Sequence, residues 1–380
     1  MLRRCSLLLG RQGLGQQRGL QTLVGRVDMS DPGDVGPLVA WWEAAGRPRV
    51  RAILGKTEGN GCVNDFSRGY ATMAIKKSAM GMACPDACVV MSGGTEGVLT
   101  PHFVVFAEAD KEASARWGRY LSVGVSRTRV FKPEEIGAEV QARETAAAVR
   151  LACEEAKLEP SEVAFAQIKC PLLTSDRLSS SCVTQDTYES MAWSRAASAI
   201  GVGIATGEIS DETSSSSGDF FDPETRFSNV ASTSAGVELL HSEVVVLGNG
   251  LTWGRYRVAG GVMNDALDVQ SVVRCLSDDL GVIIEHGQLT NPKDVAALLC
   301  KADPAPLVRG ARTTMLTDSD FNATRHSRAA IGGLLAGLFG DTRLFVSGGA
   351  ENQGPPGGGP FLIIYDEVTG APYYEAPSYI

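Results

Sequence analysis

VVMSGGTEG, residues 89–97, runs as an apolar strand into a serine, two glycines and an acid. The pattern Ser, small, Gly, any residue, Glu returns in ASTSAGVELLH, which begins at Ala231, and in LFVSGGAENQGPPGGGP, which begins at Leu344. The serines are Ser92, Ser234 and Ser347, and their wide, regular separation points to duplicated structural units.

Upstream of each serine the same company stands in the same order. An apolar strand ends at a lysine: Lys56 in RAILGKTEG, Lys169 in AFAQIKCPLLT and Lys301 in AALLCKADP. An arginine preceded by Ser or Thr then opens a helix with small residues at helical spacing, Arg68 in NDFSRGYATMAIKK, Arg195 in ESMAWSRAASAIGVGIA and Arg325 in DFNATRHSRAAIGGLLAGL. The unit is strand, Lys, loop, Arg, helix, strand, Ser, with loops of unequal length. Polar breaks near 110–117 and 249–255 divide the chain into α/β units at 29–112, 118–250 and 255–380. The expected architecture is three similar α/β repeats about a pseudo-threefold axis. An insertion in the middle unit, ISDETSSSSGDFFDPETRF, beginning at Ile209, has the composition of a surface loop.

Packed about one axis, each unit would bring one Lys, one Arg and one Ser to a common pocket. Glycine beside a serine lets a ligand approach the backbone, whose N–H groups can receive a carbonyl oxygen. Arginine adds a fixed fork of donors. Three such corners suit a small flat ligand with three carbonyl or oxyanion groups spread evenly around it. A lysine that is partly desolvated and surrounded by arginines loses basicity and can take a serine proton, which makes a carbonyl the target and acyl transfer to water the reaction. A binder of small cyclic carbonyl compounds without turnover uses the same residues equally well.

At 380 residues, 44% apolar and 21% charged, the chain can bury the core of two or three domains, and it has no apolar run long enough to span a bilayer. The first 28 residues hold five arginines and no acid before Asp28, which reads as a transit peptide, 1–28, addressed to an organelle matrix; without it the expected location is the cytoplasm. The remaining chain is acidic, which argues against a nucleic-acid partner. Nine scattered cysteines, with one close pair at Cys84 and Cys88, read as reduced thiols. His102, His241, His286 and His326 form no spaced pair, which argues against a zinc hydrolase. LGKT at 54–57 lacks the first glycine of a P-loop, Val50 standing in its place, and GVG at 201–203 lies within a helical pattern, so no organic cofactor is expected. GGAENQGPPGGGP could fold backbone carbonyls around a hard cation with help from an acid elsewhere.

GKTEGNGCVNDFSR, VMSGGTEGVLTPH, KCPLLT, TYESMAWSRAASAIG, MLTDSDFNATRHSRA and SGGAENQGPPGGGP together resemble the cyanuric acid hydrolase and barbiturase family of ring-opening amidohydrolases, from about Leu38 to Tyr365. The resemblance implies three α/β domains whose strands form a central β-barrel with helices outside, a ligand on the pseudo-threefold axis, and a homotetramer. It implies Ser234 as nucleophile and Lys169 as its base, with Lys56, Arg68, Ser92, Gly93, Arg195, Ala235, Lys301, Arg325, Ser347 and Gly348 holding and polarising ring carbonyls. It further implies a magnesium or calcium ion held by the backbone at Ala350, Gln353, Gly354, Pro355 and Gly358, with Asp303 where the family carries glutamate. Arg195 within SRAASAIG leans to the cyanuric acid branch, whose product is carboxybiuret and then biuret and CO2. VVVLGNGLTWGRYRVAGGVMNDALD has the flavour of barbiturase, which opens barbituric acid to ureidomalonate and is the alternative.

Overall fold

A computed structural model describes residues 19–211, 220–316 and 321–368. Residues 1–18 of the expected leader, 212–219 of the serine-rich insertion and 369–380 of the third unit lie outside the described residues. The first set of elements is β1 (Leu20–Asp28), α1 (Gly36–Ala44), β2 (Arg49–Thr57), α2 (Phe66–Lys77), α3 (Ala79–Ala83), β3 (Cys88–Gly93) and β4 (His102–Asp110). The second is β5 (Arg116–Arg127), α4 (Glu139–Ala156), β6 (Val163–Pro171), α5 (Glu189–Thr206), β7 (Ala231–Gly236) and β8 (Glu243–Gly254). The third is β9 (Tyr256–Met263), α6 (Val269–Arg274), β10 (Val295–Ala302), α7 (Ala323–Phe339), β11 (Phe345–Gly348) and β12 (Gly359–Asp366).

In each set the strands are ordered third, second, fourth, first: β3-β2-β4-β1, β7-β6-β8-β5 and β11-β10-β12-β9. The second and third strands run parallel, joined by a helix as parallel pairs require, and the other neighbours are antiparallel. Strand residues alternate between two cores because successive side chains point to opposite faces. Along β2, Ile53 packs outward with Trp41, Ala71 and Ile75 of α1 and α2. Its neighbours Ala52 and Leu54 face a second core, shared with Phe165 and Leu247 of the second set and Leu299, Phe345 and Leu362 of the third. The other two sets likewise cover their outer faces with α4 and α5, and with α6 and α7.

The sheet is therefore mixed α/β, with all three sets around one common core. The expected closed barrel is not formed by ladder hydrogen bonds among the described residues. The first two sets join in one eight-stranded sheet, linked at Gln21 and Trp253, while the third forms a separate four-stranded sheet and meets the others through the apolar side chains of the shared core. The expected leader boundary also shifts. Leu20–Asp28 pairs with β4 along its whole length, and Val24 and Val27 are buried. Its Arg26, counted above as part of a transit peptide, pairs with Asp341 at 2.8 Å. Among the described residues no helix is long and apolar enough to cross a membrane, and all eight described cysteines are free thiols.

Candidate active site

The parallel ladder does the first part of the assembly. Lys56 lies opposite Ser92, Lys169 opposite Ser234 and Lys301 opposite Ser347, each in direct register. Parallel neighbours in register put their side chains on the same face, so each lysine is delivered to its own serine by backbone pairing alone. The three serines then converge. Ser347 Oγ is 3.1 Å from Ser234 Oγ and 3.3 Å from Ser92 Oγ, at the floor of a cleft that Arg68, Arg195, Arg328, Gly93, Ala235 and Gly348 also line. Gly61 and Met191 complete its wall, and neither carries a signal in the sequence.

Behind the serines the lysines are wholly buried. Lys56 Nζ donates to Ser92 Oγ at 3.3 Å and to the Gly93 carbonyl at 3.0 Å. Lys301 Nζ donates to Ser347 Oγ at 3.2 Å and reaches across to the Thr233 carbonyl at 2.7 Å. Lys169 Nζ donates to the Met91 carbonyl at 2.6 Å and forms an ion pair with Glu238 at 2.8 Å, with no hydrogen bond to Ser234. Burial and then the neighbouring Arg328 hold Lys56 well below the usual lysine range, and burial and then Arg195 bring Lys301 down to about 7. Lys169 is also lowered by burial, but Glu238 works against the shift.

Two of the arginines are held across set boundaries by the glutamate that ends a serine motif. Glu96 of the first set takes Arg328 of the third through Nε and Nη2, both at 2.7 Å. Glu351 of the third takes Arg195 of the second through Nε and Nη2, both at 2.6 Å. Glu238 of the second lies 3.9 Å from Arg68 of the first. Arg68 opens α2 beside its N-cap Asp65, whose carboxylate accepts from Ser67 N, and it donates to the carbonyls of Ala235 and Cys62 at 2.9 and 2.6 Å.

The third arginine differs from expectation. Arg325 is on the rim of α7, its side chain 30% exposed and its Nε 3.2 Å from Glu96, whereas Arg328, 4% exposed, turns into the cleft. The displacement is one helical turn, which keeps nearly the same face but moves the guanidinium inward. Ser327 precedes Arg328 as Ser67 precedes Arg68 and Ser194 precedes Arg195, a match the sequence offered. The glycines also do something other than expected. Gly94 and Gly349 have φ of +90° and +77°, and a Cβ there would lie 2.4 Å from Arg328 Nη2 and 2.7 Å from Arg195 Cζ. They make room for arginine as well as for a ligand.

Beside the cleft, Asp303 Oδ2 accepts the Gly357 N–H at 2.9 Å, and burial pushes its carboxyl up to about 6. The loop facing it turns at Gly354 and Gly357, both at positive φ. Gln353, expected near a cation, spends its side chain on Thr233 N and the Gly349 and Glu351 carbonyls, which leaves its own carbonyl for a ligand. The Ala350 and Pro355 carbonyls each accept one turn hydrogen bond, from Gln353 N and Gly358 N, and keep a second lone pair.

The arrangement can bind a ring of carbonyls and attack one of them. The profile of the family described as amidohydrolase ring-opening protein matches residues 23–366. Among similar proteins, the cyanuric acid amidohydrolase of Bradyrhizobium diazoefficiens is 45% identical over 88% of this chain and 95% of its own length. That of Ectopseudomonas oleovorans is 46% identical over 91% and 99%. The crystal structure of cyanuric acid hydrolase from A. caulinodans superposes with a TM-score of 0.83 at 41% identity, covering 92% of this chain and all of that one. By sequence, by fold and by this triplicated cleft, the chain belongs to the ring-opening amidohydrolases of the cyanuric acid hydrolase and barbiturase family, hydrolases of C–N bonds in cyclic amides.

Proposed function

We propose that the protein opens cyanuric acid by hydrolysis, with Ser234 as nucleophile and Lys169 as base. The observation that carries this reading is the meeting of three serine hydroxyls, those of Ser234 and Ser92 lying 3.1 and 3.3 Å from that of Ser347, each with a lysine in register behind it and an arginine in the cleft wall. A ring with three equivalent carbonyls offers one to each corner, which fits three sets related by a pseudo-threefold axis. The relatives called cyanuric acid amidohydrolase support the same substrate.

Ser234 Oγ attacks one ring carbonyl while Lys169 accepts its proton. The developing oxyanion is met by arginine and by backbone N–H groups of the serine motifs. Lys169 then protonates the ring nitrogen as the C–N bond breaks, and water releases carboxybiuret, which loses CO2 to give biuret. The other two lysine and serine pairs, with Arg68, Arg195 and Arg328, hold the remaining carbonyls. A second reading makes Ser347 the nucleophile, because it touches both other serines and Lys301, near 7, is 3.2 Å away.

Purified protein is offered cyanuric and barbituric acid separately and the products are identified by mass. Biuret from the first supports the reading; ureidomalonate from the second alone makes the enzyme a barbiturase. Ligand recovered unchanged despite thermal stabilisation leaves only a binder. Ser234→Ala and Lys169→Ala each remove several orders of magnitude from kcat, and an inactive Ser347→Ala beside an active Ser234→Ala would transfer the role to Ser347.

The loop at 350–358 fits a hard cation. Asp303 has no lysine or arginine at ion-pair distance among the described residues, and the Gly357 N–H and the more distant Lys301 offset its burial only in part. Asp303 would supply the charged oxygen and the carbonyls of Ala350, Gln353, Gly354, Pro355 and Gly358 the rest. Held there, magnesium or calcium would neutralise the Asp303 carboxylate and brace the segment that carries Glu351, and through it Arg195.

A further inference from the structure

Three copies of one motif end in glutamate, and two of them act alike. Glu96 and Glu351 each grip an arginine with both oxygens, at 2.7 and 2.6 Å. Glu238 sets Oε1 2.8 Å from Lys169 Nζ instead, with its side chain only 6% exposed. Its Oε2 and the Nε of Arg68 stand 3.9 Å apart, both buried and both without a hydrogen bond. Such orphaned groups are costly, so the diversion from arginine to lysine calls for a compensating role. Neither Lys56 nor Lys301 has a carboxylate at ion-pair distance among the described residues. The middle lysine alone has one.

We propose that Glu238 is the positioning residue of the reacting lysine, holding Lys169 beside Ser234 and storing the proton that Lys169 sheds before it can act as a base. This rests on Ser234 and Lys169 being the reacting pair. In the resting pair an ammonium faces a carboxylate. Lys169 passes one proton to Glu238, leaving an amine and a carboxylic acid. The amine takes the Ser234 hydroxyl proton as the Oγ–C bond forms, and gives it to the ring nitrogen as the C–N bond breaks. It then takes a proton from the attacking water and delivers it to the departing Ser234 Oγ. Glu238 returns its stored proton to Lys169 at the end of the cycle.

Other charged and titratable groups around Lys169 are few. Arg68 and Asp65 face it from the first set, and Cys170 adjoins it on β6. Glu243, opposite it on β8, is spent on Arg127 at 3.0 Å. Among these, Glu238 is the carboxylate at ion-pair distance from Lys169.

The test compares four glutamate variants of the full chain. Glu238→Gln removes the charge that holds the proton on Lys169. The acid limb of kcat/KM is expected to move down by about 1–3 pH units, the span for an opposite charge at this range. Its plateau kcat falls about tenfold or more while KM stays nearly constant. Glu238→Asp keeps the charge and shifts the limb less, in the same direction. Glu96→Gln and Glu351→Gln release arginines, raising KM and leaving the limb in place. An acid limb unmoved in both Glu238 variants, or moved equally in all three glutamine variants, overturns the proposal. Ser234→Ala, run alongside, separates the two levels of failure. An inactive Ser234→Ala with an unmoved limb sinks only the role of Glu238; an active one sinks the assignment of the reacting pair and the proposal with it.

Discussion

Replacing Glu96 by glutamine isolates what one cross-set clamp contributes. Both carboxylate oxygens of Glu96 bind Arg328, and Oε1 also meets Arg325, with side chains 11% and 4% exposed for Glu96 and Arg328. Glutamine keeps one acceptor but turns an NH2 toward Arg328, donor against donor, and leaves a buried guanidinium without its counter-charge. At an effective dielectric of about 20 the lost attraction at this range is about 4 kcal/mol, and removing one partner of a buried pair costs about 3–5 kcal/mol. Glu139 and Arg143 are equally close, at 2.6 Å, but 43% and 40% exposed. Glu139→Gln should therefore cost no more than about 0.5 kcal/mol. Urea denaturation of the two variants beside the parent measures both numbers under one condition. A Glu96→Gln loss as small as that of Glu139→Gln would mean that the clamp is not a structural joint between the first and third sets, and that the serine motifs do not hold the sets together through their glutamates.

Arg328→Ala should raise KM by far more than Arg325→Ala, measured by steady-state kinetics, because only Arg328 lines the cleft. Gly349→Ala forces a Cβ onto a backbone at φ +77° and into Arg195, so it should destabilise by at least about 1–2 kcal/mol of backbone strain and raise KM; unchanged values for both would refute the stated role of that glycine. Lys301, brought down to about 7 in the folded chain against 10.5 unfolded, holds fewer protons when folded across that window. Its contribution to stability therefore rises as pH rises from about 7 to 10.5, and Lys301→Met should flatten that rise in denaturation curves taken across the range. Adding magnesium or calcium to chelator-treated protein should raise the melting temperature, and Asp303→Asn should abolish the response.

The order of the sets and the placement of most site residues were legible because they depend on short-range pattern. Lys before a loop, Ser–Arg opening a helix and Ser before glycine each follow from one strand or helix end. The third arginine shows the limit, since Arg328 and not Arg325 lines the cleft. Thr324-Arg325 and Ser327-Arg328 both satisfy the local rule, and only packing against Glu96 and the cleft chooses between them. The glutamates stood in the repeated motif from the outset, yet their role depends on a partner 229 to 232 residues away in the case of Glu96, a relation that no local window contains. β1 was hidden for a different reason. Its arginine made it look like part of a leader, and the Asp341 that neutralises Arg26 belongs to the other end of the chain.

The hand-over of arginines from set to set has a consequence for how such a cleft can change. If three separate identical chains formed the ring, a substitution in the motif glutamate would strike every joint at once, and all three corners would stay equal. Covalent linkage lets one joint be altered while the other two keep the ring closed. Glu238 is such an altered joint: Glu96 and Glu351 remain fastened to arginine, and the freed carboxylate serves a lysine. A cleft built from three similar sets thereby has one corner unlike the other two, which the proposed attack on a single carbonyl would exploit.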